Sequence, residues 1–168
     1  MRKDEYEKLI VSVPDFPKEG VVFKDIMPVL KERYSEVIED MGKKINWDEI
    51  DYIVGIESRG FILGCGMAQK YNKGFIPVRK KGKLPPPVSS QSYELEYGSD
   101  TLEMAENKIH KRVLIVDDVL ATGGTMLATT KLCKNNNFEI KGISVLINLT
   151  FLNNLNNQLP NIYTVLEY

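Results

Sequence analysis

Two adjacent carboxylates, Asp117 and Asp118, follow the apolar run Val113-Leu114-Ile115-Val116 and precede, by two residues, the small-residue stretch Ala121-Thr122-Gly123-Gly124-Thr125. The run has the character of a strand buried on both faces. Beyond the glycines Met126, Leu127, Leu132 and Cys133 recur at helical spacing, so the segment reads strand, turn, helix. A turn of this kind leaves unpaired backbone N–H groups at a helix N-terminus, where small residues let an anion approach closely. Phosphate suits it. The turn lacks the lysine of the nucleoside-triphosphate loop G-x-x-x-x-G-K-[ST], which removes that reading. Two carboxylates would repel a bare phosphate, but carboxylates accept hydrogen bonds from a vicinal diol and can face a magnesium ion. The ligand that wants both features carries sugar hydroxyls beside its phosphate, as a phosphoribosyl group does. The plainer alternative is that one aspartate caps the helix and the other is merely exposed.

A second unit of the same kind lies in Gly55-Ile56-Glu57-Ser58-Arg59-Gly60. Open α/β sheets bind ligands beyond the carboxyl ends of their strands, so two such turns can grip the two ends of one ligand. Ser58 reads as a helix cap, as an anion ligand, or as both. Arg79, Lys80, Lys81 and Lys83 crowd together directly after a strand. They form either a solvated basic loop or a set of cations that meets charge developing on a polyanionic leaving group. From Leu84 to Ser92 three prolines interrupt a stretch without a periodic apolar face, which reads as a loop able to close over a site and exclude water. Glu94 and Glu96 share one face of the alternating segment Tyr93–Tyr97 and by themselves read as solvated.

The elements that must position these groups follow from periodicity. Residues 3–11 predict a short helix, broken by Pro14, Pro17 and Gly20 into a lid-like loop before the strand Val21-Val22-Phe23. Tyr34, Val37, Ile38 and Met41 lie at helical spacing, in a helix ending near Gly42. Strands are expected over Tyr52–Ile56, Phe75–Arg79, Ile140–Leu149 and Ile162–Glu167, with a helix from Gly60 to about Lys70. Tyr93–Tyr97 and Thr101–Met104 bracket Gly98-Ser99-Asp100 as a hairpin. The succession predicts a right-handed α/β sheet with helices on both faces. The asparagines at 135–137 and 153–157 read as helix ends and turns.

Composition narrows the function classes. A chain of 168 residues that is 43% hydrophobic can bury one core as a single domain. A formal charge of −1 offers no general attraction to nucleic acid or an anionic membrane, so anion affinity must come from local Arg and Lys. No stretch approaches ~20 uninterrupted apolar residues, so no membrane partner is expected and a cytoplasmic location is. Cys65 and Cys133 both fall among apolar neighbours in helical segments and read as reduced core thiols. The single histidine, His110, reads as surface, which leaves no zinc constellation and no nucleophile–histidine pair.

The stretch Val116-Asp117-Asp118-Val119-Leu120-Ala121-Thr122-Gly123-Gly124-Thr125 resembles the phosphoribosyl pyrophosphate motif of the type I phosphoribosyltransferases. Phe16–Ile26, Gly55–Phe61, Arg79–Pro85 and Ser92–Gly98 look like the adenine branch of that family, and the likeness runs nearly end to end. The resemblance implies a type I phosphoribosyltransferase-like α/β fold, with a mainly parallel central sheet flanked by helices. It implies one domain over 1–168, with an N-terminal hood over about residues 1–28 and a flexible catalytic loop and hairpin over about 80–105. The implied reaction is adenine with magnesium-bound phosphoribosyl pyrophosphate, giving AMP and pyrophosphate. By the same resemblance Asp117 and Asp118 hold the ribose hydroxyls and Ala121, Thr122, Gly123, Gly124 and Thr125 hold the 5′-phosphate. Ser58 and Arg59 take the pyrophosphate after a cis peptide between Glu57 and Ser58, and Arg79, Lys80 and Lys83 attend the leaving group. Glu96, with Tyr97 and Arg59, is implied in catalysis, Glu96 handling the purine proton. Val22, Phe23 and Lys24 are implied to meet adenine. Relatives often carry arginine at the position of Lys24 and fewer prolines at Pro85-Pro86-Pro87. Mg²⁺ is expected to be held mainly by the substrate, with Asp117 and Asp118 nearby and no direct protein ligand. A homodimer is implied, with the neighbouring subunit's basic loop near the site. The rivals are a transferase for another base, such as a 6-oxopurine, and a non-catalytic sensor of the sugar phosphate. The latter needs a nucleic-acid-binding addition, and no basic helix-turn-helix fits in this chain.

Overall fold

The run Val113–Val116 is fully buried because its strand lies at the heart of a sheet covered on both faces. The computed structural model describes residues 2–95, 98–155 and 157–168. The chain opens with α1 (Lys3–Leu9), β1 (Val11–Pro14), β2 (Val22–Asp25), α2 (Met27–Gly42), β3 (Tyr52–Ile56), α3 (Arg59–Lys70) and β4 (Gly74–Lys80). It continues with β5 (Val88–Leu95), β6 (Gly98–Ala105), β7 (Lys111–Leu120), α4 (Gly124–Asn135), β8 (Phe138–Asn148) and β9 (Ile162–Glu167).

Seven strands form the main sheet in the order β5-β6-β4-β3-β7-β8-β9. β4, β3, β7, β8 and β9 run parallel, while β6 lies antiparallel to both β4 and β5. Alternate residues of the central strands feed opposite cores. Ile53, Leu114 and Val116 pack with Val37, Met41, Leu63 and Met67 of α2 and α3, whereas Val54, Val113 and Ile115 pack with Met126, Leu132 and Cys133 of α4. The expected α/β sheet with helices on both faces is therefore present. β1 and β2 pair separately as a two-stranded antiparallel ribbon.

Several expectations change. The short helix expected over residues 3–11 stops at Leu9, and Val11–Pro14 becomes β1, because it pairs with β2. α2 starts at Met27, ahead of the periodic stripe, with Pro28 in its first turn, where a missing N–H costs no hydrogen bond. Gly98-Ser99-Asp100 is part of β6 and not a turn, since Tyr93↔Asp100, Glu94↔Ser99 and Leu95↔Gly98 are paired. The loop expected over 84–92 ends at Pro87. β5 is an edge strand with much of its length exposed, so ladder pairing to β6 fixes it without an apolar stripe. Cys133 is buried and burial pushes its thiol up to about 12. Cys65 is exposed and is not a core thiol, since its side of α3 faces away from the sheet.

The hairpin is fastened to α4 by Asn136, only 2% exposed. Its Oδ1 accepts from Ser89 Oγ at 3.1 Å and from the Asn107 amide at 3.0 Å, while its Nδ2 donates to the Leu132 carbonyl at 2.9 Å. Replacing Asn136 by Ala removes the acceptor of two part-buried donors, Ser89 Oγ and the Asn107 amide, while the Leu132 carbonyl keeps the residue 136 amide, and should cost about 2 kcal/mol of unfolding free energy in a denaturant titration. A loss below about 0.5 kcal/mol would show that the bracket contributes nothing.

Candidate active site

β3 and β7 are adjacent and parallel, with Tyr52↔Val113 through Gly55↔Val116 in register, so the turns after them open into one crevice. Their closeness depends on Gly60, in the first turn of α3. A Cβ there would stand 2.9 Å from Asp117 Oδ1 and 3.0 Å from the Val116 carbonyl oxygen, so only glycine admits this approach. At the other turn Gly123 adopts φ 90°, in the left-handed region, and a Cβ on it would overlap Leu155 Cδ1. α4 begins at Gly124 with Gly123 as its cap residue, so neither aspartate caps the helix. Ser58 holds the cap position of α3 but makes no side-chain cap bond, leaving its hydroxyl for another partner. The peptide between Glu57 and Ser58 is cis.

Arg59 spans the crevice. Its Nε lies 2.6 Å from Asp118 Oδ2, and its guanidinium stacks 4.6 Å from the ring centroid of Phe23 on β2. The pairing is by proximity, with the N–H poorly aimed. Asp118 Oδ2, in a side chain 7% exposed, therefore remains a buried acceptor without a directed hydrogen bond among the described residues. The Asp118 amide donates to Asp117 Oδ1 at 2.9 Å. Burial, then the adjacent Asp118 carboxylate, push Asp117 well above the usual carboxylate range.

A second charged group forms around Glu57, whose side chain is 10% exposed. Its Oε1 takes Lys83 Nζ at 2.7 Å, and its Oε2 takes Arg79 Nε at 3.2 Å and the Lys80 amide at 3.0 Å. Burial raises its pKa, but these three donors outweigh burial and hold it at about 2. Lys80 Nζ pairs with Asp100 at 3.2 Å, so the basic loop is not simply solvated.

A cavity of about 780 Å³ joins these parts. Val22, Phe23 and Lys24 form one wall and Leu149, Phe151 and Leu152 another, with Ser58, Arg59, Asp117 and Asp118 at its base. A smaller pocket of about 110 Å³ continues from Asp117 under Ala121, Thr122, Gly123, Gly124 and Thr125, a size and backbone setting suited to a phosphate.

This geometry coincides with relatedness. The family model for the Phosphoribosyl transferase domain matches residues 28–163. The chain belongs to the phosphoribosyltransferase family. Among curated relatives, the adenine phosphoribosyltransferase of Hydrogenovibrio crunogenus is 42% identical over 171 residues, covering 100% of this chain and 99% of the relative. The crystal structure of adenine phosphoribosyltransferase from Rhodothermus marinus superposes with a TM-score of 0.91 at 46% identity, covering 99% of this chain and 98% of that one. The Saccharomyces cerevisiae enzyme, complexed with an imino-altritol bisphosphate and adenine, superposes at 0.84 with 34% identity, covering 96% and 97% of the two chains.

In this phosphoribosyltransferase, Val22, Phe23, Lys24, Ser58, Arg59, Asp117, Asp118, Ala121, Thr122 and Thr125 all line the large cavity. Gly123 and Gly124 line the adjoining pocket. Arg79, Lys80 and Lys83 stand one layer back, gathered on Glu57 or Asp100. Glu96 and Tyr97 lie outside the described residues. The Lys24 ammonium is held by other protein groups: its Nζ donates to Ser12 Oγ at 2.9 Å and lies 4.4 Å from the Tyr168 ring centroid. Among the described residues no group of three or more His, Cys, Asp or Glu converges as a metal cage.

Sequence reading missed the supports. Asn153 Nδ2 donates to the Ala121 carbonyl at 2.8 Å and to Asn148 Oδ1 at 3.1 Å, bracing the turn that starts at Ala121. Tyr93 reaches the same turn from the hairpin, its hydroxyl 3.4 Å from Thr125 Oγ1. Nothing in the local sequence distinguishes Asn153 from a turn asparagine, because its acceptors lie in β8 and in the turn after β7.

Glu57 also sets an acid dependence. Its folded pKa of about 2 lies below its ordinary 4.5, so its stabilising contribution is complete above pH 4.5 and is lost as pH falls toward 2. Melting temperatures of wild type and Glu57→Gln should therefore differ most at neutral pH and converge toward pH 2.5. Parallel curves at a constant offset would remove Glu57 as the anchor of the basic loop.

Proposed function

We propose that the chain is an adenine phosphoribosyltransferase of purine salvage, joining adenine to 5-phosphoribosyl 1-pyrophosphate to give AMP and pyrophosphate. The observation that carries this reading is the single cavity in which an acid pair and a small-residue phosphate turn adjoin Phe23 and the β2 backbone. The relatives support the choice of base: those described are adenine phosphoribosyltransferases, and the yeast enzyme holds adenine.

In the proposed site the 5′-phosphate occupies the pocket lined by Ala121–Thr125, at the start of α4, where a helix leaves its first backbone amides for an anion. Asp117 and Asp118 accept from the two ribose hydroxyls. The orphaned Asp118 Oδ2 fits a hydroxyl donor or a cation in that position. Asp117 and Asp118 would stand near a magnesium ion carried by the substrate, which would supply positive charge toward the leaving pyrophosphate. Ser58 and Arg59 receive the pyrophosphate, with Arg79, Lys80 and Lys83 supplying further positive charge. Adenine lies against Val22, Phe23 and Lys24. Its N9 attacks the anomeric carbon while the bond to the pyrophosphate oxygen breaks, and Glu96, beside Tyr97, takes or orients the N9 proton. Rate comes from holding two reactants in line and meeting the leaving charge.

In the same reading the chain is one domain with a hood over about residues 1–28 and a closing loop and hairpin over about 80–105. The protein works in the cytoplasm as a homodimer whose neighbouring subunit brings its basic loop near the site. No described helix is long and apolar enough to cross a membrane, and both cysteines are free thiols.

A panel of free bases with magnesium and phosphoribosyl pyrophosphate, followed by pyrophosphate release, should show adenine turned over faster than hypoxanthine or guanine; the reverse order would reassign the base. Asp118→Asn should weaken phosphoribosyl pyrophosphate binding at least tenfold in calorimetry, about the worth of one hydrogen bond to a charged group. An unchanged dissociation constant would take Asp118 out of the sugar site.

A further inference from the structure

Tyr168, just beyond β9, touches both walls of the cavity without lining it. Its ring lies 4.4 Å from Lys24 Nζ, on the strand whose Val22, Phe23 and Lys24 form one wall. Lys24 is also held by Ser12 Oγ at 2.9 Å, which ties β2 to β1 from the same ammonium. On the other side the Tyr168 amide donates to the Asn148 carbonyl at 3.0 Å. Its main-chain oxygen accepts from the Thr150 amide at 2.7 Å and from Thr150 Oγ1 at 2.8 Å. Thr150 sits between Leu149 and Phe151, two residues of the opposite wall. The β1–β2 ribbon is a separate two-stranded sheet with no ladder to the main sheet among the described residues. Its position over the crevice therefore rests on side-chain contacts such as this one and the Arg59–Phe23 stack.

We infer that Tyr168 is a positioning residue for the base: by fixing Lys24 against the 148–152 segment it sets the gap between the two walls that receive adenine. The inference rests on the proposed function for the identity of the base. The role belongs to the aromatic face and not the hydroxyl, because the ammonium lies against the ring. It acts on the base side of the cavity only, since the acid pair and the phosphate turn are braced separately by Gly60, Asn153 and Leu155.

The test compares Tyr168→Leu, which keeps apolar bulk against the core, with Tyr168→Phe, which keeps the ring. Tyr168→Leu should raise KM for adenine about three- to fivefold, the scale of an exposed cation–π contact, and leave KM for phosphoribosyl pyrophosphate within about twofold. Tyr168→Phe should match wild type. In a Lys24→Met background Tyr168→Leu should add no further loss. Equal rises in both KM values, failure of Tyr168→Phe to rescue, or additive losses would each overturn the role. Amide hydrogen exchange reads the same point without turnover: Tyr168→Leu should speed exchange in Val22–Asp25 and not in Tyr52–Ile56. Unchanged exchange in Val22–Asp25 would overturn it too. A wild-type chain silent toward adenine would refute the proposed reaction instead, and exchange would still decide for or against Tyr168.

Discussion

The close approach of the α3 N-terminus to the end of β7 is the contact on which the rest of the site depends. β3 and β7 pair in parallel, and the missing side chain at Gly60 lets the helix settle against Asp117 and Val116. That approach brings Arg59 onto Asp118 and under Phe23. Three segments far apart in sequence, β2, the turn after β3 and the turn after β7, then share one cavity. A methyl group at position 60 would collide with backbone and a carboxylate, and rigid sheet geometry leaves little room to relax.

Charge inside this crevice is balanced locally. Two carboxylates side by side are costly to bury, and the protein answers with Arg59 against Asp118, a Asp117 carboxyl that holds its proton more tightly, and a backbone amide on Asp117. Glu57 plays the opposite part for the basic loop, collecting Arg79, Lys83 and the Lys80 amide. In the proposed reaction a polyanion takes over donors that Glu57 and Asp118 engage in this structure, so binding becomes an exchange of partners and not a transfer of bare charges out of water.

Polar residues outside the cavity keep it in shape. Asn153 braces the Ala121 carbonyl, Asn136 locks the hairpin to the end of α4, and Thr150 and Tyr168 join the 148–152 segment to the end of β9. Each joins polar groups of segments that lie far apart in the chain. The conformation of an irregular segment is thereby fixed by side chains, which is why turns can line a binding site as firmly as strands do.

Much of this was legible in the residue order. The strand Tyr52–Ile56 and the strand Ile162–Glu167 show the expected bounds, and the acid pair and glycine turn lie at a strand's carboxyl end, because buried strands and helix starts carry local signals in residue type and period. The same order gave no sign that Val11–Pro14 and Val88–Ser92 are strands, that Cys65 faces solvent, or that Asn153, Leu155 and Tyr168 support the site. Pairing partners, and the side of a helix that meets a sheet, are set by contacts between distant segments. Sequence alone determined that an acid pair and a glycine turn stand together at the end of a buried strand; tertiary structure decided which cations answer which carboxylates, because an ion pair or hydrogen bond exists only where the chain's packing brings its two halves within reach.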